Sequence, residues 1–157
     1  MGTTIESTRF RAELLEILDE TFVRHHGIYL DSGTSLFETL DGISAETASR
    51  PVGSGCATIG AQVAHVVFYL DVLERYLMTG DIGANDWGEV WRTVAAVTPS
   101  RWDALRTELR LAHARIVGIL EGLEDWDSGV PIGGALSIVV HTAYHLGEIR
   151  QALCTVG

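Results

Sequence analysis

The chain predicts an all-α fold: four long helices packed as a bundle in one domain over residues 1–157. Four stretches place apolar residues at helical spacing, and none alternates apolar and polar residues as a half-buried strand would. Clusters of glycine, proline and short polar residues separate the four stretches. At 157 residues, 46% of them hydrophobic and 20% charged, the chain has the size and balance of one domain that builds its core unaided.

The first helix starts after Ser7 or Thr8 and carries Phe10, Leu14, Ile17, Leu18 and Phe22 on one stripe, with a stop near His26 and Gly27. A long connection follows, from about residue 28 to 55, holding a short periodic piece (SLFETL) and the turn-rich DGISAETASRPVGSG. Connections this long are often functional or cross over a bundle. The second helix runs from near Thr58 to about Met78, with Ile59, Gln62, His65, Phe68, Tyr69, Val72 and Tyr76 along one broad face. Gly80 ends it, and DIGANDWGEV forms a further loop with helix-like fragments around Trp87 and Trp91. Thr98 and Pro99 mark the third helix, as an N-cap followed by proline at the first helical position. Trp102, Leu105, Leu109, Ala112, Ile116, Ile119 and Leu123 supply its stripe. EDWDSGVPIGG reads as a loop with two breakers, and the fourth helix runs from about Ala135 to Leu153.

Charge and composition exclude several function classes. Formal net charge is −10, from 21 acidic and 11 basic residues, so neither nucleic-acid phosphates nor anionic lipids are expected partners. All 11 basic residues are arginine, which excludes Schiff-base chemistry on lysine and a P-loop lysine. Cys56 and Cys154 form no CxxC pattern, and MGTTIESTRF lacks the apolar core of a signal peptide, so the expected setting is cytoplasmic with reduced thiols. No uninterrupted apolar run reaches about 18 residues, the length a membrane span needs.

The chemistry concentrates in VVHTAYHLGEIRQAL, where His141 and His145 stand four residues apart and so share one helix face. A histidine on an apolar face is usually a packed residue with satisfied ring nitrogens, and HxxxH alone is weakly specific. His65 falls on the inward face of the second helix, however, and three inward imidazoles without partners would be costly. One metal ion satisfies all three. Neutral imidazole suits Zn, Ni, Fe and Cu rather than Ca or Mg, and three protein ligands leave a position open, as catalytic sites do. Glu148, three residues past His145, is the candidate catalytic carboxylate: it can orient a ligand or act as a base, the ordinary alternative being a solvated or arginine-paired residue.

Other sites are weaker. No Glu has a histidine three residues later, which excludes a ferritin-like di-iron centre, and HExxH, GxSxG and CxxCH are absent. His25 and His26 read as helix-end residues that meet the helix dipole, His113 as a surface or boundary residue with pocket lining as the lesser alternative, and Cys56 as a small packed residue at a helix start. Trp87, Trp91, Trp102 and Trp126 read as packing residues, those in the loop also as walls of a substrate pocket.

Three segments in order, SGCATIGAQVAHVVFYLDVLERYL, NDWGEVW and ALSIVVHTAYHLGEIRQAL, resemble the DinB-like superfamily of bacterial four-helix proteins. That superfamily includes thiol-dependent transferases and maleylpyruvate-isomerase-like groups. The resemblance covers most of the chain from about Gly55 onward. It implies a long crossover between helices 2 and 3, a homodimer, a divalent metal (Zn or Ni) on His65, His141 and His145, and a low-molecular-weight thiol as co-substrate. The chain has no second domain of the kind some isomerase-like members carry, which turns the expectation away from maleylpyruvate.

The leading functional expectation is a metal-dependent thiol transferase or hydrolase acting on a small molecule. The alternative is a non-catalytic metal-binding stress-response protein whose ion stabilises the bundle. A third reading is an apolar-ligand carrier in which the histidines serve only as polar handles.

Overall fold

The computed structural model describes residues 4–156. Among these residues it contains seven helices and no strand: α1 Ser7–Phe22, α2 Leu36–Asp41, α3 Ala45–Ala48, α4 Ile59–Thr79, α5 Glu89–Thr93, α6 Pro99–Gly122 and α7 Gly129–Val156. The four long helices are the four predicted from periodicity. None of the helices is long and apolar enough to cross a membrane.

Local chemistry fixes most of the ends. The Thr58 hydroxyl accepts from the Ala61 N–H at the start of α4, and Thr98 does the same for Arg101 ahead of Pro99. Gly80 closes α4 in the left-handed region at φ 73°, donating its N–H to the Tyr76 carbonyl. Ser35 and Glu38 form a capping box on α2.

Two ends differ from expectation. α1 stops at Phe22 rather than near His26, because the buried Glu20 carboxylate takes the backbone N–H groups of His26 through Leu30 and draws the chain off the helix axis. His25 and His26 therefore lie beyond the helix end and cap nothing; the His26 ring pairs instead with Asp19 at 2.5 Å. α7 begins at Gly129, six residues before Ala135. Pro131 falls in its first turn, where the missing N–H is no loss, and Gly134 is a contact rather than a break. A Cβ there would stand 2.8 Å from Leu77 Cδ2, so the glycine lets α7 lie close on α4.

α1 and α4 each pack on both α6 and α7. Arg11 near the start of α1 donates to the Glu121 and Leu123 carbonyls, so α6 ends where α1 begins. Gly60 at the start of α4 faces Val97 just ahead of α6, so those two helices run the same way. The link between them, with α5 inside it, therefore runs back along the length of α4. The longer link from α1 to α4 stays at one end, tied there by mutual bonds between Ser49 and Val97. The core holds Leu14, Leu18, Phe22, Ile59, Leu70, Trp102, Leu109, Ile116 and Ile138, and the Trp102 indole N–H donates to the Ile43 carbonyl at 2.7 Å. Trp126 packs edge-on to Phe10.

Candidate metal centre

α4 and α7 cross with His65 facing His141 and His145. The ring centroids stand 5.2 Å (65–141), 5.0 Å (65–145) and 4.5 Å (141–145) apart. One nitrogen from each ring lies within 4.8 Å of the others, close enough for all three to hold one ion. His65 and His145 are buried, and His141 is half-buried.

The rings are held in place from outside. His145 Nδ1 lies 2.5 Å from Gln62 Oε1 and 3.0 Å from Glu148 Oε2. Both neighbours are oxygen acceptors, so Nδ1 carries the proton and Nε2 keeps its lone pair, the tautomer a metal requires. Tyr69 stacks on His141 at 3.5 Å and 13°, and Trp91 from α5 lies against His65 at 4.3 Å. The loop helix α5 is thus a wall of the site.

Among the described residues three buried ring nitrogens have no hydrogen-bond partner, and two of them, His65 Nδ1 and His141 Nε2, belong to the cluster, the third being His113 Nε2. An orphaned buried nitrogen is costly unless something binds it. Burial, reinforced by the neighbouring imidazoles, lowers His65 from the ordinary 6.5 to about 4 and His141 to about 3; burial lowers His145 too, against the pull of Glu148. The three are neutral near pH 7, and their chemistry fits a borderline divalent metal with one or more positions open.

A cavity of about 780 Å³ adjoins the cluster, lined by Cys56, Gln62, Trp91, Tyr144, His145 and Glu148 among others. Cys56 is exposed there rather than packed as the sequence suggested. The GSG turn before it, with Gly55 at φ 84°, carries it outward. Glu148 lines the cavity with no arginine partner among the described residues, its Oε2 3.0 Å from His145 Nδ1. Periodicity places Gln62 on the right face without giving it a task, and Trp91 reads from the sequence as a packing residue and pocket wall rather than a neighbour of His65. His113 is a boundary residue as expected and lies away from the cluster, its ring 4.6 Å from Phe22 and edge-on to Phe37.

No protein family, curated protein or solved structure matches the chain.

The buried and half-buried histidines set a pH dependence for the metal-free protein. His65, His113 and His141 titrate at about 4, 4 and 3 when folded and near 6.5 when unfolded. Between those values the unfolded chain binds more protons, so stability is complete above pH 6.5 and falls as the pH drops through that window. The urea midpoint of metal-free protein is expected to decline steadily from pH 7 to pH 4, and His113→Gln should flatten the decline. An unchanged midpoint would mean the rings are solvated.

Proposed function

We propose that the chain is a metal-dependent enzyme of the DinB-like superfamily, of thiol S-transferase or hydrolase type, with Zn or Ni held by His65, His141 and His145. The observation that carries this reading is the set of three converging neutral imidazoles, two with orphaned buried nitrogens, beside a large cavity. The parallel course of α4 and α6, with a link running back between them, supports a four-helix bundle with a crossover between its second and third long helices. The exposed Leu136 and Val140 on α7 are apolar surface in keeping with a homodimer.

A divalent ion on the three histidines would supply Lewis acidity toward a low-molecular-weight thiol or a water. The chain's own residues prepare that chemistry. Gln62 and Glu148 hold the His145 proton on Nδ1, while Tyr69 and Trp91 cover His141 and His65 and keep bulk water off them. Glu148, about one-third exposed toward the cavity, is placed to take a proton from an entering thiol or water.

Untagged protein purified without added metal is expected to hold about one Zn or Ni per chain by elemental analysis, and His141→Ala to lose it. Equal metal content in both proteins would overturn the assignment.

A further inference from the structure

The lining of the cavity beside the histidines has a consistent chemistry. Val52, Ala57, Ala152, Trp91 and Tyr144 give the wall its apolar and aromatic side chains, and among the described residues lining it Glu148 alone carries a formal charge. None of the three arginines nearest in sequence lines it: Arg150, beside Gln151, lines a separate hollow with Leu146 and Cys154, and the other two are ion-paired. Arg92 pairs with Asp86, while Arg50 binds Glu46 and the Val156 carbonyl. A ligand bearing a carboxylate or phosphate would find no cation there and would face Glu148, in a protein of net charge −10. An aromatic or aliphatic body finds two exposed rings to pack on.

We propose that this cavity selects small thiols whose bodies are uncharged and apolar, packed on Trp91 and Tyr144, and that Glu148 excludes thiols with anionic bodies. This deepens the proposed function and rests on the metal reading only for where the sulfur goes. With the thiol head constant, the body alone decides the ranking, so any attraction between an ion and the sulfur cancels across a series.

The test loads the full chain with Co(II) and titrates it with 2-phenylethanethiol and 3-mercaptopropionate, following the visible spectrum and checking that cobalt stays bound. 2-Phenylethanethiol is expected to bind at least about tenfold more tightly, a difference of roughly 1.4 kcal/mol. Glu148→Gln, which still accepts from His145, should narrow the gap by strengthening mercaptopropionate, and Trp91→Ala should weaken only the aromatic thiol. Cobalt bound with equal affinities, or with the anionic thiol tighter, overturns the selectivity and leaves the metal site standing. If cobalt does not bind, the metal reading fails and the cavity is tested alone. Tryptophan fluorescence of the metal-free protein should then report 2-phenylethanol binding and none by phenylacetate, and equal binding of the two would overturn the proposal.

Discussion

Glu20→Ala is expected to destabilise the protein by about 3 kcal/mol, the cost of leaving several part-buried donors without their charged acceptor. Glu20 has no exposed surface, and its carboxylate accepts from five successive backbone N–H groups, those of His26, Gly27, Ile28, Tyr29 and Leu30, at 3.0–3.3 Å. It lies just under a surface loop, so water can reach some of these amides once the side chain is gone, and the loss stays below the full sum of five bonds. Burial pushes the carboxyl pKa up, but the backbone donors outweigh it and hold the value below 4.5. A lowered folded pKa contributes stability that is present above the unfolded value and lost as pH falls through the folded one. Glu20→Gln should therefore trail the wild type at pH 7 and converge with it in strong acid. Urea denaturation across that range checks both claims; a Glu20→Ala loss within about 0.5 kcal/mol, the size of an ordinary surface change, would sink them.

Glu20 also shows where sequence reasoning stops. The four long helices were legible because each repeats apolar residues at a helical period, and the ends at Thr58, Gly80 and Thr98 because single residues there have a chemical preference for caps. The end of α1 depends on five amides curling around one carboxylate, with Gly27 at φ 81° to permit the curl, and no local pattern announces that. The start of α7 depends on how closely α4 approaches at Gly134, which is a packing fact. The same division runs through the site. His141 and His145 share a face by spacing, and His65 joined them because both faces were inward. Gln62 was visible only as one polar residue in an apolar stripe. Trp91 reaches His65 because the link after α4 doubles back, which spacing along the chain cannot express.

Chelation of the metal-loaded protein is the second change expected to be large. A ligand that binds the folded chain and not the unfolded one stabilises by mass action, about 4 kcal/mol at a thousandfold excess over its dissociation constant. For a chain of this size that is a rise of roughly 10 °C in melting temperature. Folding brings His65 from α4 together with His141 and His145 from α7, and the unfolded chain has no such pocket, so little of the increment should be lost to binding the unfolded state. His65→Ala should abolish the response to Zn or Ni while Cys56→Ser retains it, since Cys56 lies outside the three-histidine group. The pH dependence follows from the same rings. With His65 at about 4 and His141 at about 3, protons compete poorly with the ion. The increment should survive acidification to roughly pH 5, where histidines of ordinary pKa would already have released a metal. Calorimetry of wild type and both variants, with and without chelator, decides it. Equal melting temperatures for loaded and stripped wild type, with bound metal verified in the loaded sample, would place the ion somewhere other than between α4 and α7.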